Sequence, residues 1–200
     1  MPLPKAIIFD FTGIFSNDDE ILFIDAISRK HNIERSKVEE VFYKLQKEAE
    51  YGKLEEKEFC ERFCKELSIP LDYGLLDFKF TLKKMINPEM MNLVDELRKK
   101  GFKLGLLSND SNASWSRAKK ALDIELHFDI IVFCHMVGAR KPSEEIFQYL
   151  LKNLNLEKEE IIFIDDSEKN VKGAEDISIK SFLFKTLDQI KKEILNFLDS

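Results

Sequence analysis

The apolar residues of this chain follow two different spacings, and each spacing predicts one kind of secondary structure. The first is a short continuous run, Ala6-Ile7-Ile8-Phe9, of the kind found in strands that are buried on both faces. Between residues 15 and 86, apolar residues instead recur every three or four positions, which is the spacing of one helix face. From Pro88 onward the two spacings alternate, and the short runs predict strands at 102–107, 129–134, 161–164 and 181–184.

This order of elements predicts an α/β fold. Strands that alternate with helices are joined by right-handed crossovers and form a parallel sheet. We expect a Rossmann-like core domain at 1–14 and 87–200, whose parallel sheet is flanked by helices, and an all-helical domain at 15–86 that is inserted into it. The predicted helices lie near 21–24, 38–49, 54–67 and 75–85 in the insertion, and near 88–100, 113–122, 146–154, 171–175 and 187–198 in the core.

Composition limits the class of protein. Hydrophobic residues make up 44% of the chain and charged residues 34%, as is typical of a globular protein. The net charge of −6 disfavours a nucleic-acid binder, which would present a basic face. No apolar run reaches the length of a membrane span, and the N-terminal segment lacks a cleavable signal pattern, so we expect a cytoplasmic protein without a membrane partner. The sequence leaves the oligomeric state open.

The cysteines and histidines do not form a metal-binding pattern. Cys60 and Cys64 are four positions apart on a predicted helix, where they could share a metal, but the scattered histidines offer no obvious further ligand. Both cysteines fall on the apolar stripe of their helix, together with Phe59, Phe63 and Leu67. We therefore expect them in a hydrophobic core.

Polar side chains follow several predicted strands, at the edge where parallel sheets bind ligands. They are Asp10, Ser108-Asn109 and Asp165-Asp166, with Lys141 beside a proline at a predicted helix start. Each has an ordinary structural alternative, such as a turn for Asp10, a helix cap for Ser108 or a solvated position for Lys141. Together they offer carboxylate ligands for Mg²⁺ and a carboxylate nucleophile that can form an acyl phosphate. The hydroxyl and the lysine can stabilise the charge of a phosphoryl group.

In order and content, these segments resemble the four motifs of the haloacid dehalogenase superfamily. Its first motif, an apolar strand followed by D-x-D-G-T/V, is similar to Asp10-Phe11-Thr12-Gly13-Ile14. The other three resemble Ser108 at a strand end, Lys141 before a proline, and Asp165-Asp166 after an apolar strand. The helical insertion stands where this superfamily places a C1-type cap. Within the superfamily, the motifs resemble those of sugar-phosphate phosphatases and of the phosphatase domain of epoxide hydrolases.

The resemblance implies how a phosphorylated substrate would be bound and attacked. Asp10 would be the nucleophile that forms an aspartyl phosphate, and Lys141 would neutralise charge on Asp10 and on the phosphoryl group. Ser108 would hydrogen-bond a phosphoryl oxygen, with Asn109 nearby. Asp110 could touch the substrate, although a solvated position fits the sequence equally well.

The resemblance also implies a Mg²⁺ site. Its ligands would be the carboxylates of Asp10 and Asp166 and the backbone carbonyl of Thr12. Asp165 would be a supporting carboxylate, and Asn170 is expected to orient Asp166 or to pack locally.

Thr12 stands at a position that is catalytic in the family, and it departs from the family pattern. Phosphatases of the superfamily carry an aspartate there, which protonates the leaving oxygen and later activates water. A hydroxyl does not titrate near neutrality, and such proton transfer contributes on the order of 10²–10⁴-fold. The expected function is therefore a Mg²⁺-dependent phosphatase for a small phosphorylated metabolite, such as a sugar phosphate, that acts at a reduced rate or on good leaving groups.

Two alternatives stay open. One is a phosphoryl carrier with a long-lived aspartyl phosphate, since transport ATPases of the superfamily have a threonine at this position. The other is a catalytically weak protein that binds phosphate or a protein partner through the same site. Dehalogenation is disfavoured, because dehalogenases of the superfamily lack the acidic pair that this chain keeps at Asp165-Asp166.

Overall fold

A parallel sheet of five strands forms the centre of the protein, with the strand order β3-β2-β1-β4-β5. The computed structural model describes residues 3–16, 20–75, 87–110 and 124–198. Every neighbouring pair of strands is parallel, which confirms the expected α/β fold. The strands are β1 at Ala6–Phe9, β2 at Lys103–Ser108, β3 at Ile130–Phe133, β4 at Ile161–Asp165 and β5 at Lys180–Leu183.

Helices cover both faces of this sheet. One face packs on α4 and α8 through side chains such as Met90 and Ile190, and the other packs on α6 and α7 through side chains such as Phe147 and Ala174. Coverage on both faces explains why β1 and β4 are almost wholly apolar. The helices are α1 at Glu20–His31, α2 at Arg35–Glu50, α3 at Glu56–Glu66, α4 at Pro88–Lys99, α5 at Cys134–Val137, α6 at Glu144–Leu154, α7 at Glu168–Asp176 and α8 at Leu187–Leu198.

The inserted helices α1 to α3 have a hydrophobic cluster of their own, formed by residues between 23 and 75. Cys60 and Cys64 are buried in that cluster, as their position on the apolar stripe predicts. Phe15 instead packs against Phe9 and Phe128 in the body that contains the sheet. This separation of clusters supports the predicted division into core and cap, which stays a prediction.

Most predicted elements appear within a few residues of their expected bounds. The strand predicted to end at Cys134 stops at Phe133, because the short helix α5 begins there. The helices predicted at 75–85 and 113–122 fall outside the described residues, apart from Leu75. Among the residues that the structure describes, no helix is long and apolar enough to cross a bilayer.

The order of strands fixes where a ligand can bind. β1 lies between β2 and β4, so the chain moves to one side of β1 for β2 and β3 and to the other side for β4 and β5. Such a switch point leaves a crevice at the carboxyl ends of the central strands. The inserted helices leave the sheet directly after β1, at that same edge.

Candidate active site

A buried lysine joins the carboxyl ends of the two central strands. Asp10 follows β1, and its backbone N–H donates to the carbonyl of Ile164 in β4 at 2.8 Å. Lys141 places its Nζ 2.7 Å from Oδ1 of Asp10 and 2.6 Å from Oδ2 of Asp165. The lysine side chain is 1% exposed, so the solvated alternative for Lys141 is excluded.

Asp165 holds this lysine rather than facing the solvent. It is fully buried, and its oxygens accept hydrogen bonds from Lys141, from the backbone N–H of Ser167 and from the amide of Asn170. Asn170 was expected to orient Asp166 or to pack locally, and in the structure its amide donates to both oxygens of Asp165. A carboxylate with this many donors is fixed in orientation, so it can aim the ammonium group at Asp10.

The exposed Asp166 completes a group of oxygen ligands. One carboxylate oxygen from each of Asp10, Asp165 and Asp166 lies within 4.8 Å of the others. Gly13 has φ +87°, and a Cβ atom there would lie 1.9 Å from Oδ2 of Asp166, so only glycine leaves room for this carboxylate. Hard oxygen donors of this kind suit Mg²⁺. Thr12 lies in the turn between Asp10 and Gly13, beside these donors.

Asn109 supports the lysine from the backbone side. Its Nδ2 donates to the carbonyl of Lys141 at 3.1 Å, and its Oδ1 accepts from the N–H of Lys141 at 2.9 Å. On the other side of the same loop, a Cβ atom on Gly173 would lie 2.3 Å from Cβ of Pro142, so glycine lets α7 approach closely. Asn109 and Gly173 therefore fix where the lysine enters the site.

The hydroxyl groups of Ser108 and Thr12 converge on one carboxylate. Ser108 Oγ donates to Oδ2 of Asp110 at 3.3 Å, and Thr12 Oγ1 donates to the same oxygen at 3.4 Å. Asp110 is only 7% exposed, which excludes the solvated position considered for it. The sequence left open whether Asp110 touches the substrate, and its place directly after Ser108-Asn109 agrees with its position beside Ser108 in the structure.

These side chains lie in a cleft of about 350 Å³ between the sheet edge and the cap. The thiol of Cys134 donates to the backbone carbonyl of Glu50 at 2.8 Å and to that of Asp110 at 3.4 Å, so the end of α2 is tied to the core beside the site. The wall on the cap side is polar and comes from α1 and α2. Its residues are Glu20, Tyr43, Gln46, Lys47 and Glu50.

The pKa values of Asp10 and Lys141, at the centre of the cleft, are shifted by burial and by the neighbouring charges. Burial raises the pKa of Asp10 to about 7, although the neighbouring Lys141 lowers it, and the charge of Asp165 raises it further. Burial also opposes the charge on Lys141, but the carboxylates of Asp10 and Asp165 outweigh it and raise the pKa of the lysine. A further positive charge beside Asp10 would favour its ionised form, which is the form that can act as a nucleophile.

Glu50 brings a second buried carboxyl group to the cleft from the cap. It is 6% exposed, and its Oε2 lies 3.0 Å from Nη2 of Arg140, the residue before Lys141. Burial raises its pKa to about 7 despite Arg140, and the charges of Glu20 and Asp110 act in the same direction. Neither its spacing nor its neighbours in the sequence marked Glu50 as a residue of the site.

We expect Glu50 to make stability depend on pH. Its pKa is higher in the folded state than the ordinary value of 4.5, so the folded state binds more protons and loses stability as pH rises from about 4.5 to about 7. The shift corresponds to roughly 3 kcal/mol. In urea denaturation across pH 4–8, the unfolding free energy of Glu50→Gln minus that of the parent should increase by about that amount as the pH rises.

The exposed Glu175→Gln serves as the matched control, whose difference from the parent should change little with pH. A Glu50→Gln difference that stays flat between pH 4.5 and 7 would contradict the assignment.

The sheet, the polar strand ends and the inserted helices are the features expected of a haloacid dehalogenase-like hydrolase. The model of the haloacid dehalogenase-like hydrolase family matches residues 4–177, and the chain belongs to this family. The family resemblance seen in the sequence motifs is therefore confirmed.

Individual relatives match parts of the chain. The bifunctional epoxide hydrolase 2 of Sus scrofa is 31% identical over 116 residues, which cover 56% of this chain and 21% of the relative. The phosphorylated carbohydrates phosphatase of Thermotoga maritima is 29% identical over 94 residues, which cover 47% of this chain and 44% of the relative. The matched segments thus span about a fifth and less than half of the lengths of these two proteins.

The fold also matches a solved structure along nearly its whole length. A HAD family enzyme of Bacteroides thetaiotaomicron, in complex with magnesium and inorganic phosphate, superposes with a TM-score of 0.77. The match covers 91% of this chain and 94% of the other, at 22% identity. At 22% identity, this similarity is evidence for a shared fold alone.

Proposed function

We propose that this hydrolase is a Mg²⁺-dependent phosphatase that cleaves a small phosphorylated metabolite through an aspartyl phosphate on Asp10. The observation that carries the proposal is the contact of Asp10 with Lys141 at 2.7 Å in the wall of the cleft, with a carboxylate oxygen of Asp166 within 4.8 Å of one of Asp10. A carboxylate, a fixed cation and a cation-binding carboxylate are the groups that phosphoryl transfer to an aspartate requires. The family membership and the phosphatase among the relatives support the same reaction class.

The residues of the cleft suit each part of the first step. An oxygen of Asp10 attacks phosphorus, and the bond from phosphorus to the leaving oxygen breaks. Lys141 stays beside Asp10 and offsets negative charge as it builds on the phosphoryl group. Ser108 lies in the cleft wall and can turn its hydroxyl to a phosphoryl oxygen. Asn109 keeps the lysine loop in place.

The proposed metal ligands are the carboxylates of Asp10 and Asp166 and the backbone carbonyl of Thr12. The grouping of carboxylate oxygens and the space that Gly13 leaves for Asp166 fit this assignment. When bound, Mg²⁺ would supply positive charge that offsets the charge of the phosphoryl group and lowers the pKa of this buried carboxyl group. Asp165 is the supporting carboxylate, because its oxygens are engaged by Lys141 and Asn170.

The cleft also supports a small, polar leaving group. Its volume of about 350 Å³ lies at the low end of the range for small-molecule sites. The cap side offers carboxylate, amide and ammonium groups from Glu20, Gln46 and Lys47. These groups can hydrogen-bond hydroxyl-bearing molecules such as sugar phosphates.

We expect metal removal to stop the reaction. Purified protein should release phosphate from p-nitrophenyl phosphate with Mg²⁺, lose this activity in excess EDTA and regain it when Mg²⁺ is restored. A screen of phosphorylated metabolites under the same conditions would then identify the substrate. Activity that persists in EDTA would contradict the metal assignment.

The same screen separates the alternatives. Absence of turnover on every phosphate ester would favour a protein that binds phosphate or a partner through this cleft. A stable, hydroxylamine-sensitive label on Asp10 would favour a phosphoryl carrier, whereas rapid loss of the label would favour the phosphatase.

A further inference from the structure

The position of Asp110 raises a question about the second half of the proposed reaction. Hydrolysis of an aspartyl phosphate needs a water molecule that is held in line with phosphorus. Such a water is oriented by a group that accepts a hydrogen bond from it, as the glutamine of GTPases does. The hydroxyl of Thr12 donates a hydrogen bond to Asp110. On this side of the cleft, the carboxylate of Asp110 is therefore a stronger hydrogen-bond acceptor than the hydroxyl.

Asp110 is built into the cleft rather than placed at its rim. Its carboxylate is 7% exposed and lines the cleft together with Asp10, Thr12 and Ser108. Its backbone carbonyl accepts a hydrogen bond from the thiol of Cys134 at 3.4 Å. These contacts give the carboxylate a fixed position, which a water-orienting group requires.

The neighbours of Asp110 place it beside the reacting atoms. Oδ2 lies 3.4 Å from the hydroxyl oxygen of Thr12, the second residue after the proposed nucleophile. The same oxygen lies 3.3 Å from the hydroxyl of Ser108, the proposed contact of the phosphoryl group. Asp110 lines the same cleft as these two hydroxyl groups, so a water molecule in the cleft lies within reach of it.

The other carboxylates at this edge of the sheet have different tasks. Asp10 is the proposed nucleophile and is bound to Lys141, and Asp165 is bound to the same lysine. Asp166 is the exposed member of the proposed metal site. Asp110 instead accepts from neutral hydroxyl groups at the side of the cleft where Thr12 stands.

We propose that Asp110 is a further catalytic residue, whose carboxylate accepts a hydrogen bond from the hydrolytic water and aims it at the phosphorus of the aspartyl phosphate. This inference rests on the proposed function. The water oxygen forms a bond to phosphorus while the bond from phosphorus to the Asp10 oxygen breaks. Asp10 leaves as a carboxylate, and both protons of the water leave with the inorganic phosphate. Asp110 takes up no proton in this step and acts by orientation.

Pre-steady-state kinetics test this role, because they separate formation of the aspartyl phosphate from its hydrolysis. With p-nitrophenyl phosphate and Mg²⁺, Asp110→Ala should keep the initial burst of nitrophenolate, since Asp10 and Lys141 are intact. Its steady-state release of phosphate should fall on the order of 100-fold, because the water is no longer aimed. Acid quenching with ³²P-labelled aryl phosphate should accordingly recover more labelled protein than from the parent.

A second variant returns a carboxylate from the adjacent residue. Thr12→Asp combined with Asp110→Ala should regain most of the steady-state rate, because the two side chains touch in the parent. The exposed Asp176→Asn is the matched control and should behave as the parent does. The burst amplitude reports the folded, active fraction of each protein. Should Asp110→Ala not fold, Asp110→Asn replaces it; this variant keeps one acceptor oxygen, and we expect it to slow hydrolysis roughly tenfold.

The inference is overturned if the Asp110 variants slow the burst and the steady state equally, if they leave both unchanged, or if the double variant stays as slow as Asp110→Ala. A parent protein without turnover and without label would instead overturn the proposed function itself. The two failures are therefore distinguishable.

Discussion

Asp10→Asn is expected to lower phosphate release on the order of 10⁴-fold or more, because it removes the proposed nucleophile. The substitution preserves the shape of the side chain and removes its charge. Lys141 keeps its partner Asp165 at 2.6 Å, so the variant should remain folded. The measurement is steady-state phosphate release with Mg²⁺, together with acid-stable labelling of the protein.

The exposed Asp176→Asn controls for the chemical change, and circular dichroism controls for folding. If folded Asp10→Asn keeps more than a few per cent of the parent activity, Asp10 is not the nucleophile and the proposed mechanism fails. Loss of turnover with undiminished labelling would place the covalent intermediate on another residue.

Lys141→Met is expected to reduce both activity and stability. It leaves the buried carboxylates of Asp10 and Asp165 without their shared cation, and removal of one partner from a buried ion pair costs about 3–5 kcal/mol. It also removes the positive charge that offsets charge on the phosphoryl group, which we expect to cost on the order of 100-fold or more in turnover. Urea denaturation measures the first effect, and kinetics well below the melting temperature measure the second.

Lys152→Met is the matched control, since Lys152 is an exposed lysine at the end of α6. Unchanged turnover in folded Lys141→Met would show that the lysine has a structural role alone. Unchanged stability would show that Asp10 or Asp165 takes up a proton at little cost.

These two variants address one connected group of side chains. Asn170 and Ser167 fix Asp165, Asp165 and Asn109 fix Lys141, and Lys141 contacts Asp10. Each contact restrains the next, so the ammonium group reaches the carboxylate of the proposed nucleophile with little freedom. Such preorganisation is what makes electrostatic stabilisation effective in a buried site.

The cap contributes to the site through an ion pair with the residue that precedes Lys141. Glu50 approaches the cleft from α2 and pairs with Arg140, the residue that precedes Lys141. The contact joins the cap-side wall of the cleft to the loop that carries the lysine. Its charge state therefore bears on how the cap meets the core, and the pH dependence expected of Glu50 measures that contact.

Much of the fold could be predicted from the chain alone. The runs at 6–9 and 161–164 are apolar because helices cover both faces of the sheet, and the alternation with helices implies parallel pairing. Asp10, Ser108 and Asp165 could be assigned to one edge because the carboxyl ends of parallel strands meet there. The exact ends of the elements were harder to predict. The strand predicted to end at Cys134 ends at Phe133, because local propensity does not decide where packing stops a strand.

The sequence thus determined the architecture and the set of side chains that could carry the chemistry, because periodicity and strand ends are local properties. Only the tertiary structure decided which of them touch. The contact between Lys141 and Asp10 spans 131 positions, and that between Thr12 and Asp110 spans 98, so no local pattern encodes either one. The structure also brought Glu50 into the cleft, because the approach of the cap, rather than spacing along the chain, places it there. It showed as well that Asp110, directly after Ser108-Asn109, is buried in the cleft and not solvated.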